Sequence, residues 1–495
     1  MTGRLGKLTR VCVWLAVFLV TLAGVLVLED ERLSVWQKRI ETSAGPVEIY
    51  THTSGSDGPL AFVAHGFAGS HQMMQYISRD LARAGYIVAA FDFYGHGRNT
   101  ALLSPDVSRI EGTTSQLVTQ TRTIIDEVRT EFGLQEEAFA LLGHSMATDI
   151  IIRAAQETGN AQSIVAISMY SDVVTADYPK NLLILSGQWE GRLRDVGLHL
   201  VSQVDPQGVE GQTVSNGPVL RRAVAVPYTE HVAVLFSHVT QKEIRSWFGQ
   251  TLDAARPGRK PVFRHGIALV AALGGIVALF VLSLSRAPLK DPHASPVALS
   301  RFAMALILPA VFATGAAAVG PANFLGMSAF GTLFWFLLAW GAVQLFCIGR
   351  GNLDKTSPSL LGMTVLLLGS VLFAVALDRY VAAFVPTGVR LSLLAALIPA
   401  TVLFMLADVM LVQGASLWRR IAARGVVLVT LGICMMVIGN FGLLFTVLPV
   451  LGLFYLVYGT MGRAVAQRFG PMTAGLALGI VLAWSIAAST PLFTV

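Results

Sequence analysis

Cysteine is nearly absent from this chain: Cys12, Cys347 and Cys434 are the three present in 495 residues. All three fall in or beside long apolar runs, which excludes a disulfide framework for the more polar part of the sequence. Charge is scarce too. Only 13% of residues are charged against 54% hydrophobic, a balance outside that of soluble globular domains. No Asn-x-Ser/Thr sequon occurs, which favours a bacterial envelope over a eukaryotic lumen. Metal-ligand spacings, phosphate-cradling glycine loops and internal repeats are also missing. Gly66 and Gly69, or Gly95 and Gly97, do not complete a dinucleotide fingerprint. Neither a metal nor a cofactor is therefore expected. The net charge of +6 has no nucleic-acid-binding motif beside it, so nucleic acid is not an expected partner.

What the chain has instead is apolar length. Val11 to Leu28 is an uninterrupted apolar run, preceded by Arg4, Lys7 and Arg10 and followed by Glu29, Asp30 and Glu31. It is long enough to span a bilayer, and no small-x-small cleavage site follows it, so it reads as an uncleaved anchor with a cytoplasmic N-terminus. Beyond a basic, Pro-containing linker at 253–261, further spans are expected at Val262 to Leu284, Phe302 to Gly320, Ser328 to Ile348, Leu360 to Leu377, Leu391 to Val412, Val426 to Leu444, Val447 to Tyr458 and Met472 to Ala488. Val447 to Tyr458 is short for a span, and a re-entrant segment is the alternative there.

The expected organisation is a tail and anchor at 1–33, an extracytoplasmic domain at 34–252, the linker, and a polytopic helical membrane domain at 262–495. Loops assigned to the cytoplasm carry Arg286, Lys290, Arg301, Arg350, Lys355, Arg419, Arg420, Arg424, Arg463 and Arg468, whereas the short outer loops carry only Arg379 and Arg390. That asymmetry fits the positive-inside rule, and the expected location is the bacterial inner membrane. Arg256, Arg259, Lys260 and Arg264 run against it, beside a long translocated domain where charge counts for less. Asp408 is an intramembrane acid toward the cytoplasmic end of its span, read as a helix–helix hydrogen bond or a group with access to the nearby interface ahead of a proton or substrate path.

Between anchor and linker the pattern changes to short buried runs alternating with helical ones. Strands are expected at Val35 to Glu41, Val47 to His52, Leu60 to Ala64, Tyr86 to Asp92, Ala138 to Gly143, Ser163 to Ser168, Leu182 to Ser186 and Arg222 to Val226. Helices are expected at His71 to Ala84, Thr113 to Phe132, Met146 to Glu157, Leu193 to Gln203 and Val232 to Thr251. Apolar strands separated by helices imply a mostly parallel sheet covered on both faces. One strand ends in Gly143-His144-Ser145-Met146-Ala147, a serine between small residues at a strand-to-helix turn. This is the pattern of a nucleophile elbow, which lifts the serine hydroxyl clear of the sheet.

The His65-Gly66 turn, the segment from Asp92 to Gly97, the Ser145 elbow and His231, in that order, resemble the α/β-hydrolase superfamily, particularly its serine esterase, lipase and S33-type peptidase branches. The resemblance covers roughly Ser34 to Leu252 and implies an eight-stranded α/β-hydrolase sheet. It further implies Ser145 as nucleophile, His231 as base at the start of the last helix, and Glu190, three residues after Gly187, as the acid. Asp195 and Asp172 are alternative acids. Backbone amides of Phe67 and Met146 would form the oxyanion hole. Serine catalysis requires a base within hydrogen-bond reach and a third group to orient that base.

These features predict a membrane-bound serine hydrolase acting outside the cytoplasm on an ester, such as a lipid or an acylated envelope component, with membrane lipids as neighbours. Alternatives with the same triad are a serine peptidase or an acyltransferase. A non-catalytic sensor or partner domain on a transporter-like membrane domain is the third reading. Only Met169 to Asn181 separates two expected strands where many relatives insert a cap, so an open site is expected.

Overall fold

The computed structural model describes residues 2–52, 58–252, 264–290, 295–349 and 357–495. The expected linker at 253–261, with Arg256, Arg259 and Lys260, and the loop charges Arg350 and Lys355 lie outside these residues. The chain divides into two compact units. One comprises Ala23–Ala271 together with Arg379–Ala383, and the other comprises Met1–Leu22, Ala272–Asp378 and Phe384–Val495.

The first unit is built on one sheet. Helix α1 (Thr2–Leu33) runs into β1 (Val35–Thr42) and β2 (Gly45–His52). There follow β3 (Leu60–Ala64), α2 (His71–Arg83), β4 (Ile87–Phe91), α3 (Ser115–Glu131), β5 (Phe139–His144), α4 (Ala147–Thr158), β6 (Ala161–Ile167), β7 (Asn181–Gly187), α5 (Gly191–Ser202), β8 (Thr213–Asn216), β9 (Val219–Val226) and α6 (His238–Thr251). Strand order is β1-β2-β4-β3-β5-β6-β7-β9-β8. The inner strands pair in parallel, while β1, β2 and β8 join antiparallel at the edges. Every residue of β3, β4 and β5 is buried, which is why these segments read as continuous apolar runs without alternation. On one face Val63, Leu142, Val165 and Leu183 pack with Trp247 and Phe248 of α6 and Ile77 and Leu81 of α2. Each such side chain contributes about 1.5–3 kcal/mol of burial free energy.

Two details depart from the sequence-based expectation. The sheet has nine strands, because Thr213–Asn216 pairs with β9 as a hairpin through Gly217, whose φ of 55° suits the turn. The expected helix Val232 to Thr251 is broken: a 3-10 turn at Ala233–Phe236 precedes α6, and Ser237 in extended conformation caps α6 through its side chain. His231 thus sits on a loop before that turn rather than at the start of the last helix.

The second unit is helical. Its elements are the first part of α1, then α7 (His265–Leu284, shared with the first unit), α8 (Leu299–Val319), α9 (Phe330–Ile348), α10 (Leu360–Tyr380), α11 (Val389–Val412), α12 (Leu417–Val437), a 3-10 turn at Gly439–Leu444, α13 (Val447–Phe469) and α14 (Pro471–Ser489). Among the described residues nine helices, α1 and α7 to α14, are long and apolar enough to cross a membrane. Glycines set the closest approaches. A Cβ on Gly341 of α9 would lie 2.6 Å from the α11 backbone at Phe404, and one on Gly479 of α14 would lie 2.3 Å from Val402. Small residues at such crossings let helix backbones touch where apolar burial offers no net drive.

Here too the expected boundaries shift. Helix α12 begins at Leu417, nine residues before the expected Val426, and so takes Arg419, Arg420 and Arg424 into the helix. Arg424 donates to Asp408 of α11 at 3.2 Å and lies over the Tyr455 ring of α13 at 4.4 Å, so its charge is matched inside the bundle. Asp408 therefore makes a helix–helix ion pair. Helix α13 runs 23 residues, well past the expected Tyr458, and is long and apolar enough to cross a membrane.

Candidate active site

Ser145 joins β5 to α4 with φ at 53°, a left-handed conformation rare for a residue bearing a side chain. The strain is held by its neighbours. Ser145 N donates to Ile167 O of β6 at 2.8 Å, and the Thr148 hydroxyl donates to Ser145 O at 2.7 Å. Space around the turn is minimal. A Cβ on Gly143 would come within 2.9 Å of the Ala147 backbone, and one on Gly66 within 2.8 Å of His144 Nδ1 and 3.0 Å of Ser145 Cβ. The first small position is therefore the critical one, while Ala147 is accommodated fully buried.

His231 and Glu190 reach this serine from two other strand ends. His231 Nε2 lies 2.9 Å from Ser145 Oγ, and His231 Nδ1 lies 2.5 Å from Glu190 Oε1. Glu190 follows β7 at the N-terminus of α5. Its second oxygen accepts from Gly187 N at 2.6 Å and from the Ser168 hydroxyl at 2.8 Å. Burial would raise the Glu190 carboxyl, but bonds from His231, Gly187 and Ser168 together hold it below the usual carboxylate range. The bond to Glu190 lifts the His231 imidazole above the usual histidine value in spite of partial burial. The alternative acids lie elsewhere. Asp172 is exposed and ion-paired with Arg153 at 2.5 Å, and Asp195 is exposed on α5.

Two neighbouring histidines, His144 and His65, are buried. Burial, and then the nearby His231, lower His144 to about 4. Its Nε2–H donates to His231 O at 2.8 Å and so fixes the loop that carries the base. His65 is lowered by burial against the pull of Asp92. Its Nδ1–H donates to Gly66 O at 2.7 Å, and its Nε2 accepts from Phe93 N at 3.0 Å. Phe67 follows in the same loop, with its ring edge-on to His96 at 5.4 Å. Met146 is the N-cap of α4, where the first amides have no partner within the helix. The Phe67 and Met146 amides thus belong to the two loops that flank Ser145.

Asp92 spends both carboxylate oxygens on backbone: one accepts from His71 N at 2.6 Å and the other from Arg98 N at 2.8 Å. Gly97, with φ at 50°, is required because a Cβ there would meet this carboxylate at 2.3 Å. Ser168 and His144 have no sequence signature for these tasks. Their partners come from neighbouring strands whose order the sequence does not display. Among the described residues no group of three His, Cys, Asp or Glu side chains could hold a metal ion.

A mostly parallel sheet with a strained serine after its central strand, and a histidine and a carboxylate on later strand ends, is the α/β-hydrolase fold. Residues 59–200, within the part of the chain that has this fold, match the family model described as serine aminopeptidase, S33. Solved structures similar to it include a dienelactone hydrolase from Anabaena variabilis at 16% identity, covering 44% of this chain and 99% of that one with a TM-score of 0.35. An α/β serine hydrolase without lid from Xanthomonas campestris matches at 14% identity, covering 46% of this chain and 97% of that one with a TM-score of 0.32. An epoxide hydrolase from an endophytic Streptomyces matches at 23% identity with a TM-score of 0.23, and the match covers 28% of this chain and only 38% of that protein's length. No curated protein matches the chain.

Proposed function

We propose that this protein is a membrane-anchored serine hydrolase that cleaves an ester of a lipid or an acylated envelope component on the extracytoplasmic side. The observation that carries the reading is the relay from Glu190 through His231 to Ser145, at 2.5 Å and 2.9 Å. In the reaction His231 takes the Ser145 proton as the hydroxyl oxygen bonds to the ester carbonyl carbon. Glu190 stabilises the imidazolium, and the amides of Phe67 and Met146 receive the oxyanion, each donor being worth about 3 kcal/mol. The imidazolium then protonates the departing alcohol. Water, deprotonated by the same histidine, next attacks the acyl-enzyme and releases the acid, restoring Ser145.

Substrate access supports an ester carried on a bulky amphiphile. The connection from β6 to β7 is thirteen residues with no helix in it, too little for a cap. Tyr170, Trp189 and Tyr228, on the loops after β6, β7 and β9, are 73%, 67% and 82% exposed. The loops after β7 and β9 also carry Glu190 and His231, and such aromatics suit contact with acyl chains and headgroups. A peptidase is the second reading, favoured by the description of the matching family model.

The test is fluorophosphonate labelling of the full-length protein, followed by turnover of a lipid-ester panel, p-nitrophenyl esters and aminoacyl amides. Labelling that disappears in Ser145→Ala and His231→Ala, with ester turnover, is the expected result. Faster cleavage of amides would assign the peptidase reading, and absence of labelling in folded wild-type protein would reject both.

A further inference from the structure

The loop that carries the Phe67 amide, residues 65–70, is held from outside the sheet by a segment distant in sequence. Ser70 is the N-cap of α2 and has the extended backbone of a capping serine (φ −160°, ψ 167°), yet its hydroxyl does not cap the helix. That duty has passed to Asp92, whose Oδ1 accepts from His71 N at 2.6 Å. The Ser70 hydroxyl instead accepts from Ala383 N at 2.9 Å, a bond 313 residues long in sequence and buried at both ends. One turn further along α2, Gln75 Nε2 donates to Arg379 O at 3.3 Å.

Ala383 and Arg379 bound the five-residue segment Arg379–Ala383, which belongs to the hydrolase unit although the chain supplies it from the end of α10. Its start is clamped as well. The Arg379 guanidinium donates to both oxygens of Glu29, at 2.5 Å and 2.8 Å, and the Tyr380 hydroxyl donates to Glu29 at 2.6 Å.

We propose that Arg379–Ala383 is a strap that positions the 65–70 loop for oxyanion stabilisation, with Ser70 and Gln75 as its positioning residues. The inference rests on the serine-hydrolase reading. The loop is sensitive to such support because it has no strand or helix of its own. It is a turn closed by Gly69 N donating to Gly66 O at 3.0 Å, with Ala68 at a φ of 57°. Gly66 sits so close to Ser145 that an added Cβ would come within 3.0 Å of the serine Cβ. A slip of the loop along α2 therefore moves the Phe67 amide relative to the nucleophile, and a misplacement of about 1 Å can cost about 100-fold in rate.

The test uses the full-length protein in detergent. Ser70→Ala and Gln75→Ala are compared with wild type for the rate constant of fluorophosphonate labelling, the fraction of protein labelled at completion, kcat and KM on a p-nitrophenyl ester, and thermal unfolding. The expected result is a fall of about tenfold or more in kcat and in the labelling rate constant, with KM and the final labelled fraction unchanged. Ser70→Thr, which keeps the hydroxyl in a backbone region suited to threonine, restores both rates. Wild-type rates in Ser70→Ala, or a reduced labelled fraction at an unchanged rate constant, would overturn the strap alone and leave a packing role. A wild-type protein that never labels overturns the hydrolase reading and the strap with it.

Discussion

His231 is the residue on which the chemistry turns, and its surroundings set the direction of the pH response. As a base it must be neutral to accept the Ser145 proton, and its bond to Glu190 raises its pKa above the usual histidine value. The acid limb of kcat/KM is thus expected above the range of an isolated histidine, with activity rising as pH increases through it. His144 does not contribute to that limb, because burial holds it near 4 and its Nε2–H is committed to His231 O. Glu190→Gln removes the charge and nearly preserves the shape. The expected outcome is an acid limb moved to lower pH and a kcat lower by roughly 10⁴-fold, the scale seen when the orienting carboxylate of such a triad is neutralised. Asp172→Asn and Asp195→Asn, which leave the Glu190–His231 hydrogen bond intact, should leave the kcat/KM–pH profile in place. A profile that shifts in either of these and not in Glu190→Gln would assign the acid elsewhere.

Strand-to-helix junctions carry the next layer of constraint, and they also show what sequence patterning can reveal. The elbow is tight on one side only. Gly143 has no room for a methyl against the Ala147 backbone or the Ile151 side chain, whereas Ala147 is already seated without exposure. Gly143→Ala is expected to cost about 1–3 kcal/mol through overpacking at the β5–α4 junction. A lower unfolding midpoint in denaturant, with weakened labelling of Ser145, is the measurement. Ala147→Gly should not gain activity, since its methyl crowds nothing essential.

The same tightness made this region legible, because a buried apolar strand followed by Gly-x-Ser-x-Ala admits few other conformations. Glu190 was legible through its spacing from Gly187 only in the light of family resemblance. Edge features were harder. Strand β8 is four residues long with three of them exposed, too short to show an alternating pattern. Ser237 interrupts an otherwise helical run by capping α6, and the serine alone does not announce that choice. The start of α12 differs from the expected one because three arginines look like a loop until Asp408 and Tyr455 are seen to receive one of them. Ser168 and Ser70 act across gaps set by sheet order and by a segment hundreds of residues away, which no local pattern records.

Across the whole molecule, charge and apolar length together argue for one orientation in a bilayer. Among the described residues nine helices are long and apolar enough to cross a membrane, and the positive-inside rule predicts a cytoplasmic side that bears Arg286, Lys290, Arg301, Arg463 and Arg468. The two arginines assigned to the other side are each engaged. Arg379 is paired with Glu29, and Arg390 donates to Ala487 O and Thr490 O at 2.8 Å each. Their charge is therefore matched or buried rather than presented to a cytoplasmic surface, which is compatible with a positive-inside orientation. Single cysteines introduced into a background with Cys12, Cys347 and Cys434 replaced test it directly. Arg109→Cys, at an exposed site in the hydrolase unit, should react with a membrane-impermeant maleimide in intact cells. Arg286→Cys, after α7, should react only once the membrane is permeabilised. The reverse pattern would put Ser145 in the cytosol, and the substrate class would then have to be sought among cytosolic esters.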